Sequence, residues 1–315
     1  MNTHAMRAVT IAKPGGLEVL EVTDRPVRAA GPGEVRIAVK AAAINPTDLL
    51  IREHGAGARL PPPWTPGMDA AGTIESIGAD VDRLRIGDRV MAATTPLRPE
   101  GGAQIAMLVV QAACVTTMPS GSTFAEASTL PMNGLTALLG LELMGLRAGQ
   151  TLAVTGGAGW LAYLMIVLAK LRGLRVLADA KPAEMELVRS YGADVVVARG
   201  DRFCEEIRVA VPAGVDALFD TALLLRSAFP ALRDGGVMVP VRGWDGSATE
   251  RGIEIRPVFV SEALERTDWL EQLRDLTSRG ALRPRVAAEY PVERVADAQR
   301  AMAAGGLRGR AVLLL

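Results

Sequence analysis

The stretch that most constrains the fold of this chain is Thr151–Lys170, TLAVTGGAGWLAYLMIVLAK. A short apolar strand, Thr151–Thr155, runs into Gly157-Ala158-Gly159-Trp160-Leu161-Ala162, and a long apolar helix follows without a break. Strand, glycine turn and helix in that order are what a dinucleotide-binding turn requires. The first glycine lets the chain turn sharply, the second lets backbone approach a pyrophosphate, and the small third residue lets helix pack close to strand. The N–H groups at the helix start then face the phosphates. A glycine pattern alone is weak evidence, and a plain glycine-rich turn is the alternative. Its setting strengthens it: Asp179 lies twenty residues beyond Gly159, at the end of a second strand-like run, Leu174–Ala178, where an acidic residue would meet a ribose.

At 315 residues and 49% hydrophobic, with mean hydropathy +0.22, the chain can bury a sizeable core, and its length favours two domains. Net charge is zero and no Lys/Arg run marks one segment, so nothing points to nucleic acid or to an anionic membrane; small molecules are the expected partners. Cys114 and Cys204 stand ninety residues apart and cannot make a multi-cysteine zinc site. The expected setting is a reducing cytoplasm, because MNTHAMRAVTI lacks a signal pattern and the apolar run Leu161–Leu171 is too short to span a bilayer. His4 is expected in a loose terminus.

In chain order, Ala8–Ile11, Leu17–Val22, Glu34–Ala42, Gly72–Ile77 and Arg89–Met91 are short strand-like runs between Gly/Pro turns, the pattern of a partly closed β domain. From Phe124 helix-like and strand-like segments alternate: Phe124–Leu130, Gly134–Leu143, the glycine stretch, Ala183–Tyr191, Val195–Val197, Asp201–Val209, Ala217–Phe219, Leu224–Leu232 and Val237–Val241. That alternation predicts a parallel sheet flanked by helices. An amphipathic helix, Asp268–Ser278, then Pro291–Ala304 and a terminal strand, Arg310–Leu315, can return to the first domain.

Six blocks in order resemble one family: Asn45-Pro46-Thr47-Asp48, Trp64-Thr65-Pro66-Gly67-Met68-Asp69-Ala70-Ala71-Gly72, Gly87-Asp88-Arg89-Val90, Leu130-Pro131-Met132-Asn133-Gly134-Leu135-Thr136-Ala137, the glycine stretch, and Gly306-Leu307-Arg308-Gly309-Arg310. Over essentially its whole length the chain resembles a zinc-independent medium-chain dehydrogenase/reductase of the quinone oxidoreductase (zeta-crystallin-like) branch. The resemblance implies an α/β fold with a GroES-like β domain (1–120, completed by 258–315), a Rossmann doubly wound parallel-sheet domain (121–257) and an active site in the cleft between them. It also implies a homodimer, paired through the open sheet edge near Val237–Val241 and Gly252–Val260.

Zinc enzymes of that superfamily carry Cys where this chain has Asn45 and Gly-His-Glu where it has Gly67-Met68-Asp69, and their four-cysteine lobe has no counterpart here, so no metal is expected. Without a Lewis acid a simple alcohol is hard to oxidise. A quinone or enone is easier to reduce, since one or two hydrogen-bond donors stabilise the charge that hydride leaves on oxygen. By resemblance Asn45 is the candidate donor and Asp48 an orienting group; alternatively Asn45–Asp48 is a turn into a helix at Leu49, with Asp48 as its cap. Relatives often place Tyr two residues beyond that Asp, where this chain has Leu50. Arg52 or His54 could stand in, a histidine being able to exchange a proton near neutral pH, although His54 beside Gly55 and Gly57 equally suits a surface loop.

On the cofactor side Asp179 favours a ribose 2′-hydroxyl and hence NAD(H), whereas Lys181 and Arg199 could hold a 2′-phosphate. The balance leans to NADP(H), with NAD(H) the alternative. The resemblance places Thr136 near the pyrophosphate or nicotinamide and Val241 near the nicotinamide ring. Trp160 and Leu161 stand where relatives have smaller residues. An NADPH-dependent reductase therefore expects Trp160 turned outward. The alternative is a member whose cofactor site has decayed and whose cleft serves a non-redox cyclisation, elimination or binding.

Overall fold

The computed structural model describes residues 5–58 and 60–315; His4 lies outside them. The chain divides into two compact units, Met1–Met132 with Leu264–Leu315, and Asn133–Ala263. Both divisions fall later than the expected 120/121 and 257/258; the first does so because the short helix Phe124–Ser128 packs its Ala125 with Ala41, Ala43 and Val312 of the first unit's sheet.

In that sheet the spatial order is Val286–Pro291, Arg310–Leu314, Glu34–Ala43, Asp69–Ile77, Arg89–Ala93, Val115–Thr117, with Met107–Gln111 also paired to Glu34–Ala43. Glu34–Ala43 alternates buried Val35, Ile37 and Val39 with half-buried neighbours, then becomes buried throughout at Ala41, Ala42 and Ala43 where helix and strands cover both faces. Ala5–Ile11 and Leu20–Pro26 form a separate antiparallel pair. Three strands, Met107–Gln111, Val115–Thr117 and Val286–Pro291, were not expected from the sequence.

The second unit is a six-stranded, wholly parallel sheet ordered Val195–Ala198, Arg175–Ala180, Thr151–Thr155, Val215–Asp220, Leu232–Pro240, Glu254–Ile255. Numbered within the unit this is 3-2-1-4-5-6, the doubly wound Rossmann order, whose switch point lies between Thr151–Thr155 and Val215–Asp220. Phe203, Ile207, Phe229, Leu232, Met238 and Ile253 close a core over Ala153, Leu177 and Leu218. Two expectations need correction. Leu224–Leu232 is not an α-helix but a 3-10 turn, Leu225–Ala231, because Pro230 lies inside it and Leu223 and Leu225 take positive φ of 59° and 50°. The strand containing Val237 is not the sheet edge either: Glu254–Ile255 pairs along it and becomes the edge.

Candidate functional site

In the second unit the glycine turn stands where strand Thr151–Thr155 meets helix Trp160–Leu171. The left-handed turn residue is Gly156, φ 70°, one place earlier than expected. Gly157 meets a different requirement. A Cβ there would lie 2.5 Å from the Asp179 carbonyl oxygen and 3.1 Å from Ala178 Cβ, so only glycine lets the turn lie against the neighbouring strand. Its N–H reaches both the Asp179 carbonyl and Asp179 Oδ1, each at 3.1 Å. Gly159 is the N-cap of the helix and donates to Gly156 O at 2.8 Å.

Trp160 is 3% exposed. Its indole stacks on Tyr163 with centroids 5.2 Å apart, and Tyr163 meets Tyr191 edge-on at 4.9 Å. The indole is thus turned neither to solvent nor onto the cavity that Asp179 and Arg199 line, but onto Tyr163. Residues three apart share a helix face, and stacking on Tyr163 keeps the ring from water. Leu161, next along, is half-buried.

Asp179, 3% exposed, ends strand Arg175–Ala180, and its Oδ2 accepts from Arg199 Nε at 2.7 Å. The pair lies on a cavity of about 480 Å³ lined also by Gly200, Phe203, Cys204 and Leu224. Of the three groups expected around the ribose, the structure brings these two together. Lys181 is exposed at the start of the turn Pro182–Glu184, away from the cavity lining. Thr136, buried in helix Pro131–Met144, and Val241, whose N–H donates to Asp220 O at 3.3 Å, do not line it either.

A brace beside the turn was not foreseen. Buried Asp220 accepts from Thr155 Oγ1 (2.6 Å), Leu224 N (3.1 Å) and Leu225 N (2.7 Å), so it holds the loop whose Leu223 and Leu225 are strained. The signal in sequence was an acidic residue ending a predicted strand, the same signal that exposed Asp179.

The first unit holds a buried polar cluster. Asn45 caps helix Pro46–His54, and Asp48 at its third position returns a carboxylate to the Asn45 N–H at 2.8 Å. Asp48 is thus not the cap, since Pro46 already occupies the first helical position. Asp48 also accepts from Gly67 N (2.7 Å) and Gln104 Nε2 (3.1 Å). Asp69 accepts from Asn45 Nδ2 at 2.7 Å and from Met132 N at 2.5 Å. Asn45, Asp48, Asp69 and Gln104 are each 0% exposed.

Burial pushes the Asp48 carboxyl up to about 7 against hydrogen bonds from Asn45 and Gly67, and pushes Asp69 up to about 7 with Asp48's charge adding to the effect. The Arg310 guanidinium pulls both the other way and is itself lowered by burial to about 10.

Asn45, expected as a donor to substrate, directs an amide N–H at Asp69, inside the cluster. Arg52 and His54 do not join it. Arg52, 6% exposed, donates to Gln299 Oε1 at 3.0 Å and pairs with Glu53; His54 is exposed at the helix end. Leu50 is 40% exposed.

Zinc does not fit this cluster. It needs three or four convergent N, S or O lone pairs. The Asp48 and Asp69 oxygens already accept N–H donors, and no group of three or more His, Cys, Asp or Glu converges among the described residues. Cys114 is buried, its thiol pushed up to about 11 by desolvation. No described helix is long and apolar enough to cross a membrane.

Comparison with known proteins matches residues 31–139 to the alcohol dehydrogenase GroES-like domain and residues 191–313 to the zinc-binding dehydrogenase family model. The chain is 32% identical over 303 residues to an NADPH-dependent alkenal/one oxidoreductase, chloroplastic, of Arabidopsis thaliana, covering 93% of this chain and 75% of the relative. It is 30% identical over 329 residues to a quinone oxidoreductase of Mus musculus, covering 98% of each. A solved structure described as an NAD-dependent alcohol dehydrogenase superposes with TM-score 0.86 at 27% identity, covering 98% of this chain and 100% of that one.

Proposed function

The chain belongs to the medium-chain dehydrogenase/reductase superfamily, in its quinone oxidoreductase-like branch, and from that premise we propose that it is a zinc-independent reductase that uses NADPH to reduce a quinone or an α,β-unsaturated carbonyl. The observation that carries the reading is the Asp179–Arg199 pair on a cavity of about 480 Å³, next to a turn whose Gly157 has no room for a side chain. These residues fit a dinucleotide: glycine where backbone must pass close, a helix start beside it, and a cation on the cavity wall.

When bound, NADPH supplies the hydride. The protein's own groups hold and orient. Gly157 and Gly159 would let backbone pass close to the pyrophosphate, the helix start at Trp160 and Leu161 would face it, and Arg199 would offer charge-assisted hydrogen bonds to the 2′-phosphate. Thr136 and Val241 remain assigned to the cofactor side. In the first unit Asn45 and Asp48 fix the turn that carries Gly67 instead of touching the substrate, which agrees with their burial. A conjugated acceptor is the substrate class because the cluster suits no Lewis acid, and delocalised charge needs less stabilisation. Twofold pairing along the Glu254–Ile255 edge belongs to the same proposal.

The test is to titrate the protein with NADPH and NADH, following Trp fluorescence and heat, then to follow NADPH oxidation with a simple benzoquinone and a simple enone. The reading expects micromolar binding and acceptor-dependent oxidation. Absence of binding at millimolar nucleotide would overturn it.

A further inference from the structure

Two charges of opposite sign meet at the position that distinguishes the two nicotinamide cofactors, and they are held differently. The Asp179 side chain is 4% exposed, and its carboxylate is anchored from behind by the Gly157 N–H at 3.1 Å. The Arg199 side chain is 35% exposed. Its Nε donates to Asp179 Oδ2 at 2.7 Å, and its two terminal nitrogens have no hydrogen-bond partner among the described residues. Its backbone stays fixed, since Arg199 N donates to Ala180 O at 2.9 Å. The acid is therefore set in place, while the guanidinium keeps its outer edge towards the cavity. Lys181 stands off the lining, and Asp201 is the other charged residue on it.

We propose that the Asp179–Arg199 ion pair is a cofactor selector that accepts either a 2′-hydroxyl or a 2′-phosphate on the adenosine ribose, so that the protein uses NADH as well as NADPH. This rests on the dinucleotide reading above and deepens it. A ribose hydroxyl donates to Asp179 while Arg199 stays on the carboxylate. A 2′-phosphate meets a carboxylate whose charge Arg199 already offsets, and the outer guanidinium nitrogens form a fork for its oxygens. A lone Asp179 would repel the phosphate, and a lone Arg199 would give the hydroxyl no acceptor. The pair accommodates both and discriminates weakly. Since one arginine then serves two anions, the phosphate form loses more affinity on adding salt.

The experiment is calorimetric titration with 5′-AMP, 2′,5′-ADP, NADH and NADPH of the unaltered protein and of Arg199→Met, Asp179→Asn and Lys181→Met. Asn keeps the oxygen that Gly157 addresses, and Arg199 is exposed enough for Met to be tolerated. The unaltered protein should bind 5′-AMP and 2′,5′-ADP within about tenfold of each other. Arg199→Met should weaken 2′,5′-ADP by about ten- to a hundredfold while leaving 5′-AMP within about threefold. Asp179→Asn should do the reverse, weakening 5′-AMP several-fold and sparing or tightening 2′,5′-ADP. Lys181→Met should change neither. Discrimination beyond about a hundredfold by the unaltered protein, or equal losses of both ligands in both pair variants, overturns the selector while leaving the cofactor site standing. If no ligand binds the unaltered protein at millimolar concentration, the dinucleotide reading fails and the selector fails with it.

Discussion

Gly157→Ala tests the glycine turn. The new methyl would start 2.5 Å from the Asp179 carbonyl oxygen, 3.1 Å from Ala178 Cβ and 3.3 Å from Val188 Cγ1. Ordinary contact begins at 3.4 Å, so relief requires a shift of about 0.9 Å, the difference from 2.5 Å. The obstructing atom is backbone of a central strand and cannot swing aside, so the turn must move. That movement breaks or stretches the two Gly157 N–H contacts to Asp179, both 3.1 Å. Losing two hydrogen bonds costs about 1 kcal/mol each, and overpacking adds about 1–3 kcal/mol, for a destabilisation of about 3–5 kcal/mol. The same movement carries Gly159 and the helix start away from Asp179, so NADPH affinity should fall at least about tenfold, as misplaced binding groups do. Urea denaturation gives the first quantity and nucleotide titration the second. A loss below about 0.5 kcal/mol with unchanged affinity would refute the assignment of Gly157 to close packing, since that is the range of neutral surface changes.

The buried carboxylates set a pH dependence. Asp48 and Asp69 titrate near 7 in the folded chain against an ordinary 3.8. The folded state therefore holds the protons more tightly, and the stability they contribute is complete below about pH 4 and lost as pH rises through about 7. Melting temperature should fall between about pH 5 and pH 8, and less steeply in Asp69→Asn, where a flipped Asn45 amide can keep the hydrogen bond; a rising profile would contradict this. Arg52→Met should cost about 1–3 kcal/mol in denaturation by stranding buried Gln299, with kcat little changed in what folds; a stable but inactive variant would return Arg52 to the site. His54→Gln should leave kcat within about twofold, as expected of an exposed residue, and a larger loss would restore its proton-donating role. Trp160→Ala should lower stability by about 3–5 kcal/mol on thermal melting, and Trp160→Phe by under about 1.5 kcal/mol, because Phe can still stack on Tyr163.

What could be seen in the sequence was whatever is encoded locally. The alternation of apolar strands with helical segments, and the twenty-residue spacing from Gly159 to Asp179, follow from neighbouring residues, and the Rossmann sheet came out in its expected form. The buried cluster did not, because its bonds cross 24 residues from Asn45 to Asp69 and 56 from Asp48 to Gln104. Likewise nothing near Arg52 announces Gln299, 247 residues away. Gly156 and Gly157 are chemically identical, so which one takes positive φ and which one packs tightly is decided only by the neighbouring strand. Trp160 looked like an obstruction because its partners Tyr163 and Tyr191 lie on different helical turns and elements. Residues such as Leu223 and Leu225, strained against their intrinsic preference, are legible only through Asp220, which holds the loop at Leu224 and Leu225.

Strand Arg310–Leu314 lies between Val286–Pro291 and Glu34–Ala43, with Val312 opposite Ala43. During synthesis this has a consequence for the order of events on the ribosome. The parallel sheet of residues 133–263 is contiguous and can close once Ile255 has emerged. The Ala41–Ala43 edge, by contrast, waits with unpaired backbone groups until residues 310–314 have been made. For that interval the nascent chain carries both a finished Rossmann body and an open β edge, where a neighbouring chain or a chaperone can engage before strand Arg310–Leu314 arrives.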